Sequence, residues 1–231
     1  MASRPVDISV IVPVYNEAKG LRKKRAYYEA LMTETEVIFV DGGSTDETPA
    51  VLAGWARVMT CRKNRAAQMN TGAAAARGEV LLFLHADAVL LPGALEQARR
   101  TLRDPRVVGG CFSQVLDAPG WIFRWISWTG NYRARWTKVL YGDQGIFIRR
   151  EVFERLHGFP EVSVGEDVLL SRRLRTMGRV AVLPDPIYCS ARRWQRQGIW
   201  RTFWTNRKVL RALARGVSPD CAGIVYGEAR E

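Results

Sequence analysis

The sequence predicts an α/β fold: an open, mostly parallel central sheet with helices on both faces. Three observations carry that expectation. Strand-length apolar or β-rich runs recur at Ile8–Val14, Glu36–Val40 and Val80–Leu84, with too little polar alternation for half-exposed strands. Helix-compatible stretches at Lys19–Met32 and Arg65–Arg77 lie between them, as crossovers between parallel strands must. Each run stops at a polar cluster: Pro13-Val-Tyr-Asn-Glu17, Asp41-Gly-Gly-Ser-Thr-Asp46 and His85-Ala-Asp87.

Taken in order, Ile8–Val14 is β-branched and too short for a helix, so it reads as a buried strand. The charged helix Lys19–Met32 and the run Glu36–Val40 complete a βαβ unit. Thr48–Trp55 can be helical, and Arg65–Arg77 is an Ala-rich helix that Gly78 breaks before the third strand. Past Pro92 a short helix (Leu95–Leu102) and a strand (Val107–Val115) are expected. Trp121–Tyr141 then packs seven aromatic residues among Arg124, Arg133, Arg135 and Lys138 with no acid at all. A strand at Gly145–Arg149 and a helix at Glu151–Leu156 follow. Glu166-Asp167 opens a further helix, continued by Leu169, Leu170 and Leu174 at helical spacing, before two short strands, Val180–Leu183 and Ile187–Cys189. From Ile187 to Pro219 the chain carries eight Lys or Arg and no Asp or Glu. It shows no internal repeat and no low-complexity linker.

With 231 residues, 47% of them hydrophobic, the chain can bury one core and is too apolar for disorder. Its 35 Lys and Arg against 23 Asp and Glu give a net charge of +12, which favours phosphate-bearing partners. No apolar run approaches the roughly 20 residues of a spanning helix. Cys61, Cys111, Cys189 and Cys221 are scattered, which fits neither a zinc knuckle nor a disulfide scaffold and points to a reduced, cytoplasmic setting. With only His85 and His157, a multi-histidine metal site is excluded.

Ligands collect beyond the carboxyl ends of strands in an open parallel sheet. The three polar clusters would share that edge. Gly42 and Gly43 let backbone N–H groups turn toward a ligand, a carboxylate there can bind a base or sugar hydroxyl, and Asp87 with His85 could hold a divalent ion on a diphosphate. Each cluster alone also has a plain reading: Asp41–Asp46 as a turn with a helix cap, His85 as a core histidine, Glu166-Asp167 as acids favoured by a helix dipole. Their coincidence on one edge favours a site.

Six motifs, in order and spacing, resemble the family-2 glycosyltransferases. They are Val10–Glu17, Val40–Thr48, Asn64–Gly78, Leu82–Asp87, Gly145–Phe153, and Gly158-Phe-Pro followed by Gly165–Leu174. The chain is more narrowly similar to a small bacterial branch with His-Ala-Asp in place of Asp-x-Asp. The resemblance implies a single-domain GT-A fold over residues 1–231, with a nucleotide-binding half (about 6–115), an acceptor-binding half (about 116–195) and a basic, Trp-containing C-terminal segment (196–231). It implies inverting transfer from a nucleotide sugar, a UDP-sugar, to a hydroxyl acceptor. By position, Pro13, Tyr15, Glu17, Asp41, Gly43, Arg65, Ala86 and Asp87 would contact the donor, and Asp87, with His85, would hold Mn²⁺ or Mg²⁺. Asp167 would be the catalytic base with Glu166 as its neighbour. Asp143 and Gln144 would touch acceptor or donor sugar, as would Arg193 and Trp194, which match part of a motif of processive members. The Gln of that motif is absent, so polymer synthesis is not implied.

The aromatic and basic regions admit three readings: core packing, an interfacial surface on an anionic membrane that suits a lipid-linked or apolar acceptor, and a nucleic-acid platform. The last ranks lowest, since acidic strand ends repel a polyanion; no nucleic-acid partner is expected. The expected location is cytoplasmic, peripheral to the inner face of the membrane. A non-catalytic nucleotide- or membrane-binding protein on the same fold is the alternative, kept open by His85.

Overall fold

The computed structural model describes residues 7–217 and Pro219; Cys221 and the rest of the C-terminal segment beyond lie outside the described residues. The chain runs β1 (Ile8–Val14), α1 (Ala18–Glu34), β2 (Glu36–Asp41), α2 (Thr48–Leu52), β3 (Arg57–Thr60), α3 (Arg65–Ala75), β4 (Val80–Phe83), β5 (Val89–Leu90) and α4 (Ala94–Thr101). It continues with β6 (Val107–Asp117), α5 (Trp121–Thr137), a 3-10 turn at Gly142–Gln144, β7 (Ile146–Arg149), α6 (Arg150–Arg155) and α7 (Glu166–Met177). β8 (Arg179–Ser190), α8 (Arg192–Gln197) and α9 (Ile199–Ala214) complete the described chain.

Eight strands form one sheet in the order β3-β2-β1-β4-β7-β6-β8-β5. β3, β2, β1 and β4 are mutually parallel, β7 is antiparallel to β4 and to β6, β8 is parallel to β6, and β5 is antiparallel to β8. The expected mostly parallel sheet is therefore present, with β7 and β5 reversed.

Period-two alternation divides the core. Val10, Val12 and Val14 of β1 face one cluster with Leu21, Tyr28 and Leu31 of α1 and Leu95 and Ala98 of α4. Ile11 faces the other, with Ala66, Met69 and Ala73 of α3 and Leu170 and Leu174 of α7. Both faces are thus covered, which is why the strands read as continuous apolar runs. Gly72 sits inside α3, where glycine costs about 1 kcal/mol of helix propensity. A Cβ there would stand 2.4 Å from Ile11 Cγ2, so close helix-to-strand packing dictates the residue.

Several sequence expectations need correction. The helix expected over Thr48–Trp55 ends at Leu52, and the chain then enters β3, too short and too exposed to show a pattern. β5 is only two residues long. The two strands expected at Val180–Leu183 and Ile187–Cys189 are one, β8, despite Pro184 and Pro186. The pairing jumps from Phe112 opposite Leu183 to Ser113 opposite Pro186, so the prolines fall at a bulge where a missing N–H breaks no regular ladder. The aromatic segment, for which the sequence pattern predicts no element, forms the helix α5, packed along β6.

Candidate active site

Two loops at the carboxyl ends of β1 and β2 are stitched together. Asn16 takes a left-handed φ of 53°, and its Oδ1 accepts N–H from Thr45 at 2.8 Å and from Asp46 at 3.4 Å. Asp46 Oδ2 in turn accepts the Ala18 N–H at the start of α1, and Thr48 Oγ1 accepts that of Glu17. Asp41 is buried; its carboxylate accepts the Ser44 N–H at 3.0 Å and the Ser44 hydroxyl. The Asp41–Asp46 loop is therefore both a turn that caps a helix and part of the strand-end edge. Gly43 holds φ 80° with nothing within 4 Å of where a Cβ would stand. Pro13 is partly buried, and Lys63 Nζ lies 4.4 Å over the Tyr15 ring.

At the β4 end the expected residues diverge. Ala86 is buried in the core, and its carbonyl accepts from Lys24 Nζ and Tyr28 Oη. Asp87 keeps about a third of its side chain exposed. Arg192 of α8 reaches across to the Glu17 carboxylate at 3.4 Å and stands 4.0 Å from Asp87 Oδ2. Glu17, Lys24, Asp87 and Arg192 form one mixed-charge cluster. Burial raises the Glu17 pKa against the pull of Arg192 and lowers that of Lys24 against the carboxylates.

His85 is half-buried with its Nε2 enclosed, and it points elsewhere. A Cβ on Gly142 would stand 2.6 Å from His85 Nε2 and 3.7 Å from Asp167 Oδ2, so the 3-10 turn is pressed against the imidazole. Asp167 accepts the Gly142 N–H and the Val168 N–H, each at 2.7 Å. Glu166 Oε1 lies 3.8 Å from Arg65 Nη1. Asp143 Oδ2 accepts from Gln114 Nε2 at 3.0 Å, while Gln144 Oε1 accepts from the Tyr141 N–H and from Arg133. Among the described residues His85 Nε2, Asp143 Oδ1 and Gln144 Nε2 have no hydrogen-bond partner although buried. Such atoms are rare in proteins; Gln97 Oε1, Arg150 Nη2 and Thr202 Oγ1 share the condition elsewhere in the fold, and the three at this turn are available to a ligand's polar groups.

Burial dominates the electrostatics. It raises Asp143 to about 6, reinforced by the Asp167 charge, and Glu166 to about 7 against the opposing pull of Arg65. It also raises Asp167, countered by the two N–H groups. Burial lowers His85 to about 4, with Arg65 adding to the effect. Three carboxyl groups with raised affinity for protons thus meet a neutral imidazole at one turn, an arrangement suited to taking a proton near neutral pH.

Arg193 donates to Gln197 and Asn206, and its charge is felt by Asp143; Trp194 is half-buried against the core. Sequence reasoning missed Gln68, whose Nε2 donates to the Val14 and Val40 carbonyls at 2.8 Å each and so ties the ends of β1 and β2. It also missed Lys24, Gln114 and Arg192 as parts of the site.

No group of three or more His, Cys, Asp or Glu side chains among the described residues is arranged to hold a metal. Asp87 with its exposed carboxylate fits the other mode, in which one or two carboxylates bind a divalent ion that substrate phosphates share.

A curled, mostly parallel sheet with acidic strand ends on one edge is the architecture of the GT-A glycosyltransferases. The mannosyltransferase PcManGT from Pyrobaculum calidifontis, solved with GDP-Man and Mn²⁺, superposes with a TM-score of 0.63 at 27% identity, over 81% of this chain and 57% of that one. TarS 1-349 of S. aureus in complex with UDP gives 0.64 at 20% identity, over 80% and 60%. The sequence model of Glycosyl transferase family 2 matches residues 9–156, and the chain belongs to that family. The probable glycosyltransferase YdaM of Bacillus subtilis is 22% identical over 232 residues, covering 87% of this chain and 53% of YdaM. The uncharacterized protein MT1568 of Mycobacterium tuberculosis is 28% identical over 72% of this chain and 54% of its own. The chain spans about half the length of these relatives.

Proposed function

We propose that the chain is an inverting glycosyltransferase that moves a sugar from a nucleoside-diphosphate sugar, of the UDP type, to a hydroxyl acceptor. The observation that carries this reading is the meeting of the Gly142–Gln144 turn with the start of α7, where buried Glu166 and half-buried Asp143 and Asp167 have raised pKa values near the unpartnered polar atoms of His85, Asp143 and Gln144. GDP-Man and Mn²⁺ in PcManGT support a nucleotide-sugar donor and a divalent ion.

In this reading the donor binds the half up to about residue 115, along Pro13, Tyr15, Glu17, Asp41 and Gly43, and the acceptor binds within 116–195. Asp87 would hold Mn²⁺ or Mg²⁺ together with the donor phosphates, while His85, a neutral imidazole, faces the Gly142 turn instead. When bound, that ion supplies positive charge to the departing diphosphate. Asp167 removes the proton of the acceptor hydroxyl as its oxygen attacks the anomeric carbon, and Glu166, held by Arg65, sets the local charge. Asp143 Oδ1 and Gln144 Nε2 accept from and donate to the incoming sugar hydroxyls. One base suffices, because inversion needs no covalent sugar intermediate.

The test is isothermal titration with UDP and GDP, with and without Mn²⁺ or Mg²⁺, followed by turnover of UDP-sugars. Metal-dependent UDP binding is expected. Absence of binding by either nucleotide would overturn the donor assignment.

A further inference from the structure

α5 presents a continuous aromatic stripe to solvent. Trp121, Trp125, Trp128, Tyr132 and Trp136 are all exposed, Trp121 and Trp136 by 75% and 73%. At about 100° per residue these five positions fall within roughly 80° of arc, so they form one ridge along the helix. The rings touch one another: Trp128 stacks on Tyr132 with centroids 5.7 Å apart, and Tyr132 meets Trp136 at 5.8 Å. The opposite face of the helix buries Ser127 and Ala134 against the sheet. Packing therefore explains the inner face and leaves the ridge unexplained. Soluble surfaces rarely carry so large a contiguous apolar patch without a partner.

Charge decides which partner. Arg124 and Arg135 are exposed and fall on one flank of the ridge, and residues 121–141 contain no acid. Tryptophan and tyrosine side chains settle at the headgroup level of a bilayer, and each nearby Arg or Lys adds about 1 kcal/mol of attraction to anionic lipid. A second copy of this +12 chain would bring like charges to the same face and be repelled. A cavity of about 330 Å³ opens beside the ridge, walled by Trp128, Tyr132, Arg135 and Pro184. Arg135 gives one N–H to Ser113 Oγ at 3.3 Å, leaving further donors of its fork for a phosphate.

We propose that the α5 ridge docks this protein on an anionic lipid surface, its rings at headgroup depth and Arg124 and Arg135 on lipid phosphates. No helix among the described residues is long and apolar enough to cross a membrane, so the attachment is interfacial. α5 ends at Thr137 and the half-buried Gly142 turn follows a few residues on, so docking places that turn one short loop from the lipid boundary. A lipid-borne hydroxyl acceptor follows, and that last clause alone rests on the transferase reading.

The experiment is co-sedimentation of the full chain with phosphatidylcholine vesicles and with vesicles containing phosphatidylglycerol. It is run on the parent and on the triple variant Trp121→Ser, Trp128→Ser, Trp136→Ser. The parent is expected to pellet with anionic vesicles and not with neutral ones, with a blue-shifted tryptophan emission. The triple variant should bind at least about tenfold more weakly while its melting temperature and UDP titration are unchanged, since the three rings are exposed. Failure of the parent to bind anionic vesicles, or equal binding by the variant, would overturn the proposal. So would a parent dimer in sedimentation velocity that the variant abolishes, which would assign the ridge to a second copy. UDP titration is read separately, so loss of the donor reading leaves the docking result standing.

Discussion

Asp167 accepts the Gly142 N–H from the turn that also holds Asp143 and the Val168 N–H of its own helix, so its charge serves both the geometry and the proposed proton transfer. Asp167→Asn is expected to keep UDP binding and lower turnover by about 10²-fold or more, the scale of a lost general base; normal turnover would remove Asp167 from that role. Glu166 gives a pH signature. Its pKa is raised from 4.5 to about 7 on folding, so the folded state holds the proton more tightly than the unfolded chain. The stability from that group is complete below pH 4.5 and is lost as the pH rises through about 7. The melting temperature of Glu166→Gln should therefore gain on the parent between pH 5 and pH 8, and a constant difference would show that burial does not shift Glu166. Gly142→Ala places a methyl against His85 Nε2. Overpacking of this kind costs about 1–3 kcal/mol, read by chemical denaturation, and should also lower turnover by moving Asp143.

Elements differ in how much of them the sequence discloses. β1, β2 and β4 were legible because strands covered on both faces must be apolar throughout, and their polar ends follow from the sheet edge. β3 and β5 were not, because four- and two-residue strands at the sheet margins need little apolar content. The single strand β8 was hidden by its two prolines, whose compatibility depends on a bulge set by the partner strand. At the site, Glu166, Asp167 and Asp143 could be named from motifs. Gln68 could not: in an Ala-rich helix its amide gives no pattern, and its role arises only when α3 lies beneath the ends of β1 and β2. Gln68→Leu should cost about 1–3 kcal/mol in denaturant unfolding, because the Val40 carbonyl loses a buried donor. A stability within about 0.5 kcal/mol of the parent would show that the tie is dispensable.

At the scale of the whole molecule, the charge cluster at the strand ends joins the two halves. Glu17 and Arg192 are 175 positions apart in sequence, and with Asp87 they bring the start and end of the described chain to one edge. Arg192 was out of reach of sequence reasoning for that reason, since only the completed sheet sets it opposite Glu17. Asp87→Ala should weaken metal-dependent UDP binding while leaving the fold intact, because its carboxylate is partly exposed and holds no helix end; unchanged titration curves would refute the metal assignment. The strand order carries a consequence for how the protein is made. β7 sits between β4 and β6, so the open edge of β4 has no partner until the chain has been synthesised through Arg149. At about 5–20 residues per second, the ribosome leaves four parallel strands with a bare, apolar margin for several seconds. Nascent chains stalled before Ile146 should therefore depend on a holdase to stay out of the pellet, and chains stalled well beyond Arg149 should not.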